Sequence, residues 1–157
     1  MSAQEKYLSQ LAEKIIKLAR KKNVSICTVE SCTGGLISST LVSISGASNI
    51  FKGSLVCYDS KVKIKILGVP KNIVEKNFAA SEKCALSMSK KAAEFFDCDY
   101  ALASTGFAEK GKEIFLSLYS KSEHFAEKHF FEGERNKMRE NATKKSLEVL
   151  LDAIKNS

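Results

Sequence analysis

Residues 28–36 have the sequence Thr28-Val29-Glu30-Ser31-Cys32-Thr33-Gly34-Gly35-Leu36, in which a strand gives way to a helix. Val24 and Ile26, just before it, are strand formers, and apolar residues recur at helical spacing from Leu36 onward. A helix that begins here directs unpaired backbone N–H groups and the positive end of its dipole toward the turn. The stretch therefore predicts a site for an anion or an oxyanion.

The same stretch also has a purely structural interpretation. Ser and Thr are preferred helix N-caps, and a Gly-Gly pair makes tight turns in proteins that bind nothing. No Lys-Ser or Lys-Thr pair follows the glycines, which excludes a P-loop. Glu30 and Cys32 flank Ser31, so the Gly-x-Ser-x-Gly elbow of the α/β-hydrolases is excluded as well.

Length and composition predict a single domain spanning residues 1–157. Hydrophobic residues make up 44% of the 157 residues, enough for one core, and one Pro with eight Gly gives no sign of a linker. No run of about eighteen apolar residues is present, and the polar start of the chain lacks the apolar segment of a signal peptide. We therefore expect a cytoplasmic protein without membrane contact.

The five cysteines suggest neither a disulfide framework nor a zinc site, because their number is odd, no Cys-x-x-Cys pair occurs and only two His are present. We expect most of them to be buried and expect no metal or cofactor. The net charge of +7 favours anionic ligands. No basic helix carries interleaved aromatic residues, so nucleic acid is not favoured as a partner.

Hydrophobic periodicity and turn signals divide the chain into alternating helices and strands. For residues 61–67 a strand competes with a helix, because apolar and basic residues alternate. Asp59-Ser60 before this stretch and Gly68-Val69-Pro70 after it favour a helix that ends there. The predicted helices cover residues 4–21, 36–43, 61–67, 82–97 and 134–154, and the predicted strands cover residues 24–29, 53–58, 100–105, 113–119 and 125–131.

This order predicts a three-layer α/β/α sandwich with a mixed sheet. Strands separated by helices form parallel pairs, and the hairpin around residues 121–123 adds antiparallel strands. Ligands of such sheets bind beyond the strand ends, where the turn after Val29 is expected to lie.

Ser31 is the first candidate nucleophile, since a hydroxyl at a helix start lies beside N–H donors for an oxyanion. It needs a base, and both His lie in the predicted hairpin, where His124 is expected at the surface and His129 alternates with core positions. A Ser–Lys pair is the alternative, with Lys63 just past the second strand. Burial would lower the pKa of its amine.

Several of these residues also have simpler explanations. Lys63 belongs to a run of lysines at 61, 63, 65 and 71, which is typical of a solvated face. Tyr58 positions a substrate or simply packs. Cys32 ranks below Ser31 as a nucleophile, although a helix start would lower its pKa.

Arg135 and Arg139 are two of only three arginines and share one face at the start of the last helix. Arginine suits bidentate recognition of phosphate. The alternative is surface pairing with Glu134 or Glu140.

Together these segments resemble the C-terminal domain of the CinA family, the nicotinamide-nucleotide amidohydrolases. The resemblance spans nearly the whole chain in the right order, and its first segment is specific. The matching segments are Glu30-Ser31-Cys32-Thr33-Gly34-Gly35, Gly46-Ala47-Ser48, Phe51-Lys52-Gly53, Tyr58 to Val69, Ala80-Ser81-Glu82, Thr105-Gly106, and Gly133-Glu134-Arg135 with Arg139.

The resemblance implies hydrolysis of the carboxamide of nicotinamide mononucleotide to nicotinic acid mononucleotide and ammonia. It implies that Ser31 and Lys63 are catalytic together with Tyr58, in a homo-oligomer for which a dimer is the first expectation. Larger relatives carry an extra N-terminal domain, so this chain is expected to be the stand-alone form. The implied substrate-binding residues are Glu30, Thr33, Gly34, Gly35, Thr105, Gly106, Arg135 and Arg139.

One segment departs from the family pattern. After Thr105-Gly106 the family continues with a Gly-rich loop, whereas residues 107–113 here are Phe-Ala-Glu-Lys-Gly-Lys-Glu. Close approach of a backbone to a ligand favours Gly. Two alternatives therefore stand beside the amidase: a relative that binds nucleotide without hydrolysing it, and an interaction module linked to competence or DNA damage.

Overall fold

The structure, a computed structural model, describes residues 1–106 and 113–157 and contains six helices and five strands in these ranges. Of the segment 107–113 that departs from the family pattern, residues 107–112 lie outside the described residues. The strands are β1 (Ile26–Glu30), β2 (Phe51–Val56), β3 (Tyr100–Gly106), β4 (Glu113–Tyr119) and β5 (His124–Phe130). The helices are α1 (Ala3–Lys22), α2 (Leu36–Val42), α3 (Ser60–Lys65), α4 (Lys71–Asn77), α5 (Glu82–Phe96) and α6 (Arg135–Lys155), with a 3₁₀ turn at Ala47–Asn49.

The five strands form one mixed sheet in the order β2-β1-β3-β4-β5. β1 pairs in parallel with both β2 and β3, whereas β3, β4 and β5 are antiparallel neighbours. Glu30, the last residue of β1, lies opposite Val56 on one side and Ser104 on the other. The chain therefore leaves the sheet at Ser31 along the edge where three parallel strands end.

Helices cover both faces of the sheet, which confirms the predicted α/β/α layers. α1, α2 and α6 pack on one face, and α5 packs on the other together with Val74 of α4. The strand β1 supplies both cores, because successive side chains point to opposite faces. Ile26 lies in the first core, and Cys27 and Val29 lie in the second.

The segment after β2 is helical, so the alternative of a strand for residues 61–67 is wrong. The Asp59 carboxylate accepts a hydrogen bond from Lys61 N at 2.7 Å and caps α3. Gly68, at a φ of 79°, follows the helix in the left-handed conformation that favours glycine. Signals at both ends therefore outweighed the alternating pattern between them.

One strand and one helix depart most from the prediction. β2 covers Phe51–Val56 rather than residues 53–58, and α4 was not predicted. Pro70, which was interpreted as the end of the preceding helix, directly precedes α4. Proline also favours the first positions of a helix, because the missing N–H is not needed there.

The antiparallel hairpin of β4 and β5 was predicted correctly. None of the helices in residues 1–106 and 113–157 is long and apolar enough to span a membrane.

Candidate active site

Ser31 follows β1 directly and is held by the sheet on both sides. Ser31 N donates to the Ser104 carbonyl oxygen at 2.9 Å, and Cys57 N donates to the Glu30 carbonyl oxygen at 2.7 Å. The strand pairing thus continues up to the turn. Only 6% of Ser31 is exposed. Its hydroxyl is fixed at the carboxyl edge of the parallel strands, where ligands of α/β proteins bind.

Lys63 reaches this hydroxyl from α3. Its Nζ lies 3.0 Å from Ser31 Oγ and 2.8 Å from the Cys57 carbonyl oxygen, with the Tyr58 carbonyl oxygen at 3.5 Å. Lys63 is 1% exposed and is the largest of the fully buried side chains that the structure describes. The structure therefore brings together the two residues that the sequence analysis named as nucleophile and base.

The helical form of α3 separates Lys63 from the neighbouring lysines. Residues two positions apart on an α-helix differ by about 200° in direction. Lys61 and Lys65 accordingly point to solvent, while Lys63 is buried. A solvated face, the simpler explanation of this run of lysines, holds for Lys61 and Lys65 and is wrong for Lys63. A strand would have placed all three on one face.

Burial lowers the pKa of the Lys63 amine below its ordinary value of 10.5, because removal from water penalises the ammonium form. The neighbouring groups Cys84, Cys57, Cys32 and Asp59 oppose this shift. Within the described ranges, no carboxylate lies within ion-pair distance of Lys63 Nζ. The neutral amine is therefore more populated at Lys63 than it would be at an exposed lysine.

Glu30 lies beneath the turn, with 0% of its side chain exposed. One carboxylate oxygen accepts hydrogen bonds from Gly35 N at 2.9 Å, Ile37 N at 3.1 Å and Thr33 Oγ1 at 2.7 Å. The other accepts from Ser38 N at 2.8 Å. The carboxylate thus satisfies the first N–H groups of α2, which has no side-chain cap at its N-cap position. Shaping the turn fits this position better than contact with a substrate.

The rest of the turn is held from within. Thr33 is buried, and its Oγ1 lies 2.6 Å from Ser104 Oγ. Gly34 and Gly35 both have positive φ, which explains the Gly-Gly pair. Gly34 N donates to the Ser31 carbonyl oxygen at 3.0 Å, and Gly35 N donates to the carboxylate described above. Their N–H groups are therefore already used within the chain.

Arg139 holds the outside of the turn. Its Nε and Nη2 donate to the Thr33 carbonyl oxygen at 3.3 and 3.0 Å, and its Nη1 donates to Asn136 Oδ1 at 3.0 Å. A guanidinium carries five N–H groups, so two remain beyond these bonds. Arg139 therefore supports the turn and keeps donors for an anion.

Arg135 and Tyr58 lie together at the surface near the turn. Arg135 Nη1 donates to the Tyr58 hydroxyl at 3.4 Å, and 63% of Tyr58 is exposed. The Tyr58 ring therefore points toward Arg135, while its backbone carbonyl lies near Lys63 Nζ. This geometry suits contact with a bound molecule better than proton transfer at Ser31.

Thr105 and Gly106 have structural roles at the end of strand β3. Thr105 Oγ1 donates to the Ala79 carbonyl oxygen at 2.7 Å, and the side chain is buried. A Cβ on Gly106 would lie 2.6 Å from the Glu113 carbonyl oxygen and 2.8 Å from Ile114 Cα. Glycine is thus required for pairing of β3 with β4. Neither residue forms a hydrogen bond with Ser31 or Lys63.

Cys32 is not an activated thiol, and this corrects the expectation of a lowered pKa. Burial raises the pKa of Cys32 to about 11, so the thiol is protonated near neutral pH. The helix start that would have lowered it is occupied by the Glu30 carboxylate. Among the described residues, no group of three or more His, Cys, Asp or Glu could hold a metal ion.

Comparison with known proteins shows the family of this chain. The model of the CinA C-terminal domain matches residues 8–154. The chain belongs to the CinA family. A CinA-like protein of Dictyoglomus thermophilum is 38% identical over 156 residues, which cover 94% of this chain and 38% of that protein. The chain thus spans well under half the length of this relative.

Solved CinA structures share the fold. The competence/damage inducible protein CihA from Agrobacterium tumefaciens superimposes with a TM-score of 0.87 at 27% identity, covering 95% of this chain and 96% of that one. A competence-damaged protein (CinA) superfamily protein from Escherichia coli gives a TM-score of 0.90 at 24% identity, covering 98% and 93% of the two chains. The mixed sheet with its two helical layers is therefore the CinA fold.

Sequence reasoning missed three contributors to this candidate site. Ser104 contacts the turn through both its carbonyl and its hydroxyl, and the Cys57 carbonyl holds the Lys63 amine. Asp59 was recognised as a cap but not as the residue that fixes the helix carrying Lys63. The cap signal was present in the sequence, whereas backbone carbonyls and a serine inside a strand carry no signal of their own.

Proposed function

We propose that this chain hydrolyses the carboxamide of nicotinamide mononucleotide to nicotinic acid mononucleotide and ammonia. The observation that carries the proposal is the buried contact between Ser31 Oγ and Lys63 Nζ at 3.0 Å. The choice of substrate rests on the resemblance to the nicotinamide-nucleotide amidohydrolases, and membership of the CinA family supports it. A buried amine beside a held hydroxyl suits acyl transfer.

In the first step, Ser31 Oγ attacks the carboxamide carbon while the neutral Lys63 amine takes the hydroxyl proton. A neutral amine has two N–H groups and one lone pair. The two carbonyl oxygens of Cys57 and Tyr58 can accept the N–H groups, which leaves the lone pair for the Ser31 hydroxyl. The lowered pKa of Lys63 favours this form.

The negative oxygen of the tetrahedral intermediate needs donors nearby. The backbone N–H groups of Cys32 and Thr33 come directly after Ser31 and donate to no other residue that the structure describes. We assign the oxyanion to them, because the N–H groups of Gly34 and Gly35 are already used.

Collapse of the intermediate releases ammonia, with the Lys63 ammonium returning its proton to the leaving nitrogen. Water then attacks the acyl group on Ser31, again with the Lys63 amine as base, and restores the free hydroxyl. Each proton thus passes through Lys63 Nζ, which is buried beside Ser31.

The nucleotide part of the substrate is assigned to Tyr58, Arg135 and Arg139. The exposed phenol beside Arg135 offers a ring for stacking, and the guanidinium groups offer forked donors for the 5′-phosphate. We also propose that residues 1–157 form a single domain and that the protein acts in the cytoplasm. We further propose that it forms a homo-oligomer, for which a dimer is the first expectation.

Incubation of the purified chain with nicotinamide mononucleotide tests the proposal. Ammonia and nicotinic acid mononucleotide should appear in equal amounts. Both should be absent when nicotinic acid riboside, which has no carboxamide, is supplied instead. Calorimetric binding of the nucleotide without product would support the alternative of a non-hydrolytic relative. Salt-sensitive DNA binding without nucleotide binding would support the interaction module.

A further inference from the structure

A second pair of reactive side chains lies at the opposite end of β1. Cys27 is the second residue of this strand and is 0% exposed, and Cys98 lies between α5 and β3 with part of its surface in solvent. The two Sγ atoms are 2.8 Å apart, and the Cys98 thiol donates to Cys27 Sγ. The residues are 71 positions apart in the chain.

We propose that Cys27 and Cys98 form a peroxide-sensitive dithiol that closes to an intramolecular disulfide. The inference is independent of the amidase activity. The Cys98 sulfur attacks one oxygen of the peroxide and breaks the O–O bond, which yields a sulfenic acid and water. Cys27 then attacks the Cys98 sulfur, the S–O bond breaks and a second water leaves. Two thiols lose two electrons and two protons, and hydrogen peroxide becomes two waters.

The order of these steps follows from the environment of each thiol. Cys98 is accessible, whereas Cys27 is covered. The hydrogen bond shared between the two thiols, together with burial, keeps the proton on Cys27 and holds its pKa well above the usual range, so Cys27 is a poor first target for an oxidant. Cys27 becomes reactive toward a sulfenic acid held directly beside it.

The other three cysteines lack this arrangement. Cys32, Cys57 and Cys84 are buried, and burial raises the pKa of each. Within the described ranges, none of them exchanges a hydrogen bond with a second thiol. Oxidation should therefore be selective for the pair at Cys27 and Cys98.

The cross-link would join the amino end of β1 to the start of β3 without reaching the candidate active site. Ser31 lies four residues beyond Cys27, which at about 3.3 Å per residue is about 13 Å away. A disulfide that closes a long loop restricts the unfolded chain more than the folded one. The oxidised protein should thus melt several degrees higher than the reduced protein.

The full-length chain should be treated with hydrogen peroxide, alkylated and digested for mass spectrometry. We expect one cross-linked peptide pair containing Cys27 and Cys98, two hydrogens lighter than the reduced peptides, and a rise in melting temperature that dithiothreitol reverses. Cys98→Ser, which keeps a donor toward Cys27, should abolish both the cross-link and the rise.

Three results would overturn the proposal. One is oxidation of Cys98 to a sulfinic acid while Cys27 stays reduced. Another is a first cross-link involving Cys32, Cys57 or Cys84. The third is a rise in melting temperature that persists in Cys98→Ser. Oxidation of the chain in denaturant gives the reference distribution of cross-links for an unselective reaction.

Discussion

Lys63 Nζ and Ser31 Oγ lie 3.0 Å apart in a buried contact between α3 and the turn after β1. In the ammonium form Lys63 donates to the Ser31 oxygen, and after loss of a proton its lone pair accepts the Ser31 hydroxyl. The same positions therefore serve both protonation states. No rearrangement of the pair is needed between rest and proton transfer.

The rate of nicotinamide mononucleotide hydrolysis should rise with pH and level off below the ordinary Lys63 pKa of 10.5. The base form is the neutral amine, and burial lowers the pKa at which it appears. A profile of kcat against pH measures this value.

Substitution of Lys63 gives the control for this profile. Lys63→Met and Lys63→Arg should both lose hydrolysis by several orders of magnitude, since neither offers a neutral amine. Lys65→Met, an exposed lysine on the same helix, should leave the profile unchanged. An unaltered profile in Lys63→Arg would remove Lys63 from the mechanism.

The lowered Lys63 pKa also predicts a pH dependence of stability that needs no substrate. Between the lowered value and 10.5, the unfolded chain holds a proton at Lys63 that the folded chain has released. The free energy of unfolding should therefore rise with pH in the wild type relative to Lys63→Met. Lys63→Met is the reference because the buried thiols, whose pKa values are raised, lower the free energy of unfolding as the pH rises in both proteins. Denaturant unfolding from pH 7 to 10.5 provides the measurement, and a falling difference would mean that the Lys63 pKa is raised.

Glu30→Gln should damage the turn more than its similar shape suggests. An amide has one accepting oxygen, so its nitrogen would face either the Ser38 N–H or the group of donors around Gly35. Loss of one charge-assisted hydrogen bond should lower the free energy of unfolding by about 1.5–3 kcal/mol.

The kinetic effect of Glu30→Gln separates support of the turn from substrate binding. If Glu30 positions Ser31, kcat should fall while KM changes little. Glu132→Gln, at an exposed position, is the matched control. A rise in KM at constant kcat would instead indicate direct contact of Glu30 with the substrate.

Arg135→Ala should weaken binding of nicotinamide mononucleotide about tenfold to a hundredfold while leaving the riboside nearly unaffected. The expected loss is that of one charge-assisted phosphate contact, about 1.5–3 kcal/mol. Arg139→Ala should weaken the mononucleotide as well and should also affect the riboside, because Arg139 holds the Thr33 carbonyl. Calorimetry with both ligands, with Arg20→Ala as a distant control, measures the difference. Equal losses for both ligands in Arg135→Ala would assign the phosphate elsewhere.

The sequence predicted the layers of this fold because periodicity and end signals agree along most of the chain. The helix α1 shows a helical period throughout, and turn residues mark the β4–β5 hairpin, so both were predicted with small errors at their ends. α4 was missed because Pro70 fits the end of one helix as well as the start of the next.

The site was harder to predict from the sequence than the fold was. Ser31 could be named from its turn, but the burial of Lys63 depends on a helical direction that flanking lysines conceal. The carboxylate of Glu30 looked like a ligand-binding group, although it serves the N–H groups of α2. Hydrogen bonds to backbone carbonyls, such as that from Lys63 Nζ to the Cys57 carbonyl oxygen, leave no pattern in the sequence.

The most direct test of the Ser31–Lys63 mechanism is the ratio of kcat/KM for nicotinamide mononucleotide between the wild type and Ser31→Ala. Ser43→Ala, an exposed serine after α2, serves as the control and should match the wild type. We predict that Ser31→Ala loses several orders of magnitude while it still binds the nucleotide and keeps its melting temperature. Retention of most of the wild-type turnover by Ser31→Ala would contradict the covalent mechanism and leave Ser31 as a structural residue of the turn.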